Sequence, residues 1–314
     1  MVRSGNGAHA RAAVSVFTLA LLTVLATPTA SFALSGGAPS PAAAQPPPAS
    51  PTGAAETVPS AGAVTLKAAK TFPRKSYYYG FRAPSLRFEI ESTQAQNDLQ
   101  IDVLNEAGEP IRSFFRKDVE PGRTVGIRWD GATAERKPAP KGRYSFRVSA
   151  QGSARVARLA STATEGLSLS FDFYVYAFPV LGTHDFGGAG SGFGAGRSGH
   201  THQGQDVMAA CGTPLVAARG GRVQYTGNDS AAGIYMVIDG KGTPYDTAYM
   251  HLQQPSPLAT GDVVRTGQPI GLVGDTGNAQ GCHLHFELWA GPGWYEGGSP
   301  VDPLPYLKKW DQYS

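Results

Sequence analysis

The chain has 314 residues, 16% of them charged, with 27 Lys and Arg against 24 Asp and Glu for a formal net charge of +3. Ordinary soluble domains carry about 25% charged residues, so this composition, with 40 Gly and 24 Pro, favours strands joined by turns over long charged helices. The small net charge and the lack of a basic stripe exclude nucleic acid as an expected partner, and the length allows roughly two domains with cores of their own.

Residues 1–33 read as a signal peptide. Arg3 and Arg11 give a positive start, Ala12 to Ala26 is an apolar run, and Ser31-Phe32-Ala33 ends in small-residue cleavage style. The run is shorter than the ~20 residues that cross a bilayer, so no membrane span is expected after cleavage. An uncleaved anchor is the lesser alternative. Residues 34–62 are Ala, Pro, Ser, Gly and Thr with almost no large apolar side chain, which predicts a disordered tether. The protein is expected to be secreted or to sit in the extracytoplasmic envelope. In that setting Cys211 and Cys282, the only cysteines, predict a disulfide, and no Cys-x-x-Cys pair exists to build a thiolate zinc finger.

From residue 63 to 165 the pattern is that of strands. Leu86, Phe88 and Ile90 alternate with charged residues, Leu99, Ile101 and Val103 with Gln100 and Asp102, and Tyr144, Phe146 and Val148 with Ser145, Arg147 and Ser149. Glu120-Pro121-Gly122 and Asp130-Gly131 punctuate them at sandwich-like spacing. The pieces VLNEAGEPIRSF and IRWDGATAERKPAPKGRYSFRVSA resemble the immunoglobulin-like domain of flagellar-hook capping proteins. No titratable cluster occurs here, so positioning or docking is the expected role.

Residues 166–314 form the second expected domain. Phe171 to Tyr176 alternate as a strand, and residues 187–199 are mostly Gly, Ser and Ala. That glycine-rich loop has neither a Lys-Ser/Thr end nor a following helical pattern, so it reads as the rim of a groove and not as a phosphate cradle. Near the C-terminus, Gly281-Cys282-His283-Leu284-His285-Phe286-Glu287-Leu288 has period two. His283, His285 and Glu287 then share one face, while Leu284 and Phe286 enter a core. Six of the seven histidines lie between residues 184 and 285. His202 and Asp206 stand four apart, with Gly204 between them for a tight turn, and His285 can add a second nitrogen. Three protein ligands and an open position make a catalytic zinc site, whereas solvated strand histidines would make none.

Taken together, HTHQGQD, YMHL, GDVVRTGQPIGLVGDTGN and GCHLHFELW resemble, in order and spacing, the lysostaphin/LytM family of zinc metallopeptidases that cut peptidoglycan peptides. The likeness runs over roughly residues 178–308, closing with Val301-Asp302-Pro303 and Tyr306-Leu307. It implies an all-β catalytic domain, a glycine-rich antiparallel sheet of duplicated hybrid-motif type with the groove across its face. It also implies zinc on His202, Asp206 and His285, with His251 and His283 as the non-ligand catalytic histidines. Glu287 is expected as a carboxylate bracing a ligand, His200 as a groove residue and His184 as structural. The expected function is an exported, monomeric zinc endopeptidase for peptidoglycan crosslinks. The rivals are a non-catalytic wall-binding or hydrolase-activating relative, and a zinc-binding surface adhesin.

Overall fold

The computed structural model describes residues 64–150, 158–159 and 169–314. The expected leader and tether lie outside the described residues. Among the described residues, the first domain holds nine strands: β1 Thr65–Phe72, β2 Lys75–Tyr77, β3 Ser85–Glu91, β4 Asn97–Leu104, β5 Pro110–Val119, β6 Val125–Arg128, β7 Gly142–Ala150, β8 Arg158–Leu159 and β9 Ser170–Tyr174. They form two sheets, in the orders β6-β3-β1-β8 and β2-β9-β7-β4-β5. Period-two alternation turns Leu86, Phe88 and Ile90 of one sheet and Leu99, Ile101 and Val103 of the other into a single core. Trp129 is fully buried there against Tyr144, Phe171 and Phe173. Its indole N–H donates to the Ala132 carbonyl at 2.8 Å, so no donor is stranded.

Strand β9 lies after the boundary expected at residues 165/166. β9 pairs with β7 from Gly142↔Phe173 to Ser145↔Ser170, and Phe171 and Phe173 belong to the sandwich core.

The second domain begins against the first. Arg219 is buried, with its guanidinium 4.2 Å from the Tyr78 ring centroid and 5.0 Å from that of Tyr176. Its N–H groups donate to the carbonyls of Val175 and Lys241. The Thr266 hydroxyl donates to the Tyr78 carbonyl at 2.7 Å and accepts from the Gly220 N–H at 2.9 Å. Tyr174 stacks on Tyr313 with centroids 3.9 Å apart. Aromatic and cation–π contacts of this kind are worth about 0.5–2 kcal/mol each. A fragment starting at residue 175 should therefore unfold at a lower temperature than the chain with its sandwich. Coincident melting curves by circular dichroism would show that the contact contributes nothing to stability.

The second domain is built on one antiparallel sheet. Its strands are β10 His184–Asp185, β11 Gly196–Arg197, β12 His200–Thr201, β13 Gln205–Ala209, β14 Pro214–Val216, β15 Gly221–Asp229, β16 Gly233–Gly240, β17 Tyr245–Leu252, β18 Val263–Val264, β19 Pro269–Leu272, β20 His283–Ala290 and β21 Ser299–Val301, followed by helix α1 Leu304–Asp311. The main sheet has the order β10-β13-β20-β17-β16-β15-β18, with β21 also on β20. β20 is central, with β17 on one side and β13 then β21 along the other. One face of this sheet packs Val207, Met236, Ile238, Tyr249, Leu284, Phe286 and Leu288 into a core closed by Leu307 and Trp310 of α1. The opposite face carries the histidines.

Cys211 and Cys282 are disulfide-bonded, as expected. Cys211 follows β13 and Cys282 precedes β20, so the bridge ties the ends of two paired strands that carry site residues. It closes a loop with a sequence separation of 71, and a link of that span contributes about 2–4 kcal/mol in the chain-entropy account. The Cys211→Ser/Cys282→Ser protein should lose stability of that size in denaturant titration. An unchanged midpoint would contradict it.

Candidate metal centre and its histidines

The cross-strand pair Asp206↔His285 starts the site, because the register of β13 on β20 sets the two side chains side by side on the face opposite the core. His202 enters from the preceding loop. Its Nε2 lies 2.8 Å from His285 Nδ1 and 3.0 Å from Asp206 Oδ1, and His285 Nδ1 is also 3.0 Å from Asp206 Oδ1. All three residues are buried. These form the His-Asp-His group whose ligand atoms converge on one point.

Tautomers follow from the outer partners. His202 Nδ1 is 2.9 Å from the Gly192 carbonyl and His285 Nε2 is 3.1 Å from Glu287 Oε1, acceptors that require an N–H on each of those nitrogens. In the neutral rings the inward nitrogens are therefore lone pairs, and they face a carboxylate oxygen. Three lone pairs at 2.8–3.0 Å in a buried site repel unless a cation stands among them. Two imidazole nitrogens and one carboxylate oxygen suit zinc, whose tetrahedral bonds of about 2.0–2.1 Å place neighbouring ligand atoms roughly 3.3 Å apart. The residues fit the ion. The same demand appears as proton affinity. Burial alone would lower the His285 pKa, but hydrogen bonding to Asp206 and Glu287 outweighs it and raises the value to about 9. Burial would raise the Asp206 pKa, yet hydrogen bonding to His202 and His285 holds its carboxyl far below the usual range.

Glu287 braces this arrangement. It is 3% exposed, and its Oε2 accepts from the Trp289 indole at 2.7 Å and the Trp294 indole at 3.1 Å. Burial works against its charge, while His285 and the two indoles hold its pKa down. A ligand histidine is thereby oriented by a carboxylate that is itself fixed. Neither tryptophan was singled out in the sequence reading. The signal was present for Trp289, which continues the face of His283, His285 and Glu287 at period two. None existed for Trp294, which arrives from a loop.

Gly204 is needed for a different reason than a tight turn. Its φ is not positive. A Cβ there would sit 2.4 Å from the Phe286 carbonyl oxygen and 2.8 Å from His285 Nε2. The chain crosses directly over the ligand ring, and only glycine leaves room.

His283 and His251 stand beside the triad. His283 Nδ1 is 2.9 Å from the Gly281 carbonyl and His251 Nδ1 is 2.7 Å from the Thr276 carbonyl, so both rings carry the proton on Nδ1 and present a bare Nε2. His283 Nε2 lies 3.7 Å from Asp206 Oδ1, and the two rings are 4.7 Å apart. His251 reaches this face through an irregularity. Ile234↔Leu252 and Met236↔Tyr249 leave Met250 and His251 opposite one residue, and His251 has φ +62°. A regular strand would send His251 to the core side with Tyr249. The bulge and the left-handed residue turn it to the site instead. Burial, backed by the neighbouring His283 and His285, lowers its pKa to about 4, so its Nε2 stays unprotonated at neutral pH.

Two further histidines among the described residues stand apart. His200 is exposed and reaches only the Ser198 carbonyl. His184 packs against the Phe178 ring at a tilt, with centroids 4.4 Å apart, and lies 3.3 Å from Asp311 of α1, a structural position. Arg197, on the glycine-rich rim, places its guanidinium 3.6 Å from Asp206 Oδ2. Nothing in the sequence marked it.

The chain thus joins an immunoglobulin-like sandwich to an antiparallel sheet that carries a His-Asp-His group and two bare-Nε2 histidines on its open face. Residues 200–303 match the model of peptidase family M23 and residues 79–154 match that of the FlgD Ig-like domain. The chain carries an M23 peptidase domain of the lysostaphin type behind an N-terminal FlgD Ig-like domain. The peptidoglycan DD-endopeptidase ShyC of Vibrio cholerae is 42% identical over 87 residues, 28% of this chain and 20% of that protein. Lysostaphin of Staphylococcus staphylolyticus is 32% identical over 124 residues, 38% of this chain and 25% of that protein. The solved catalytic domain of lysostaphin from Staphylococcus simulans shares 30% identity across 37% of this chain and 89% of its own, with a TM-score of 0.34. This chain thus covers about a fifth of the length of the first curated relatives it matches.

Proposed function

We propose that this protein is an exported zinc-dependent endopeptidase that hydrolyses peptide crosslinks of bacterial peptidoglycan. The observation that carries the reading is the buried triangle of inward lone pairs on His202, Asp206 and His285, flanked by two histidines with free Nε2 atoms. His202 Nε2, Asp206 Oδ1 and His285 Nδ1 would hold the zinc. When bound, zinc lowers the pKa of water and polarises a scissile carbonyl. His283 and His251 do the proton work from the chain. Each ring is oriented by a backbone carbonyl on Nδ1, so Nε2 can take a proton from the attacking water and, once charged, stabilise the developing oxyanion. Matches to peptidoglycan endopeptidases support the substrate class. The disulfide among the described residues supports an extracytoplasmic location.

Zinc loading tests the centre. With its pKa raised from 6.5 to about 9, His285 in the metal-free protein keeps its proton at neutral pH. That protonation stabilises the metal-free fold fully below about 6.5 and is lost as pH rises through 9. Zinc needs the neutral ring, so loading near pH 7.5 should expel about one proton from this residue, and none above its pKa. Calorimetry in buffers of different ionisation enthalpy measures this. Proton-free loading at neutral pH would remove His285 from the ligand set.

A further inference from the structure

The sandwich has a cationic face that the catalytic reading does not use. A groove of about 540 Å³ is lined by Arg82, Arg87, Arg116 and Arg128 with the rings of Phe72 and Phe81, and no acidic residue lines it. The arginines are scattered in sequence and gather only in the fold. Register on β3 puts Arg87 directly opposite Lys70 of β1 on one side and Gly126 of β6 on the other, with Ser85↔Arg128 two positions away on the same face. Arg116 arrives from the second sheet and donates to the Gly126 carbonyl at 3.2 Å. A Cβ at Gly126 would meet only the Arg87 side chain, 4.0 Å from its Cγ, so the arginine lies over the glycine on the groove floor. Arg87 also lines a second hollow of about 360 Å³ with Lys67, Lys70 and Glu89, where Lys67 is paired with Glu91 at 3.4 Å, so the cations of the first groove continue into a neighbouring hollow of mixed charge.

Among the described residues Arg82, Arg87, Arg128 and Lys70 make no ion pair, and Arg116 bonds only to the Phe115 and Gly126 carbonyls. Like charges directly opposite on a sheet destabilise it. The crowding therefore costs stability that an anionic partner would return. Phe72 and Phe81 are 55% and 47% exposed on the same groove, flat apolar surfaces beside the charges.

We propose that this groove binds an anionic polymer of the cell envelope, a chain of phosphodiester-linked polyol units. Guanidinium groups match phosphate oxygens in bidentate geometry better than ammonium groups do, which suits a lining of four arginines. Two adjoining hollows joined at Arg87 suit an extended chain better than a single ion, and the phenylalanine rings suit the C–H faces of polyols. Binding there would hold the sandwich, and the peptidase domain packed on it, at the wall. The choice of an envelope polymer rests on the extracytoplasmic reading above. The test reads binding only, so its failure and a failure of cleavage are separate results.

Synthetic poly(glycerol phosphate) should bind the mature chain with an affinity that falls steeply with salt. Arg87→Gln/Arg128→Gln should weaken binding by about tenfold or more and flatten the dependence of log affinity on log salt by about one unit or more. Lys308→Gln/Lys309→Gln on exposed positions of α1 makes the same net charge change and should leave binding intact. The arginine pair should melt no lower than the parent, since like-charge crowding is relieved. Arg82→Gln/Arg116→Gln serves as a second pair if the first does not fold. Equal loss in both the groove and helix variants would overturn the proposal. So would polyglutamate binding as tightly as the phosphate polymer, or phosphatidylglycerol vesicles binding while the polymer does not.

Discussion

His285→Ala should strip zinc and crosslink cleavage together. The ring supplies one of three inward ligand atoms, 2.8 Å from His202 Nε2 and 3.0 Å from Asp206 Oδ1, and no other side chain stands where its Nδ1 does. Its loss also leaves Glu287, almost fully buried, without the partner that offsets the cost of its charge. His202→Ala and Asp206→Ala should likewise lower metal content from one zinc per chain to a small fraction and bring cleavage to background. Asp206→Ala should do so with less damage to the fold, because it removes a buried carboxylate, whereas His202→Ala takes one of two imidazole partners from Asp206. Metal analysis of the purified variants beside a melting curve separates the two effects. A variant of any of the three that retains full zinc contradicts the ligand set.

His283→Ala and His251→Ala should do the opposite, keeping zinc while slowing turnover by roughly 100-fold or more, the scale of a lost general base or oxyanion group. Each ring is held by a backbone carbonyl and contributes no atom to the triangle. His283 is the sharper case, because its Nε2 comes within 3.7 Å of Asp206 Oδ1 and is the nearest rival ligand. If His283→Ala loses zinc while His285→Ala keeps it, the two assignments are reversed. His251→Ala carries a second effect. A residue at φ +62° is held there against a backbone cost, so alanine should destabilise locally, and His251→Asn, better suited to that region, is the cleaner comparison.

What the sequence showed depended on whether a pattern was local. Strand β20 was legible because period two sorts His283, His285 and Glu287 from Leu284, Phe286 and Leu288, and the structure keeps that sorting. The sandwich strands were legible for the same reason. Alternation says nothing about which sheet owns a strand, so Ser170–Tyr174 was recognisable as a strand while its place in the sandwich was not. The face taken by His251 was also hidden, since a bulge and one left-handed residue override the period that a strand reading assumes. Gly204 was noticed for flexibility when the demand on it is space, which depends on where a distant ring lies. Trp294, Arg197 and the arginine groove share that character. Their neighbours come from segments far apart in the chain, and only the packed fold brings them together.

Digestion of a defined, cross-linked peptidoglycan by the mature chain, with new termini read by mass spectrometry, tests the central claim most directly. Cleavage at a peptide bond of the crosslink, abolished by a chelator and restored by zinc, is the predicted result. Intact crosslinks from a protein carrying stoichiometric zinc, or new glycan ends in place of new peptide termini, would contradict it.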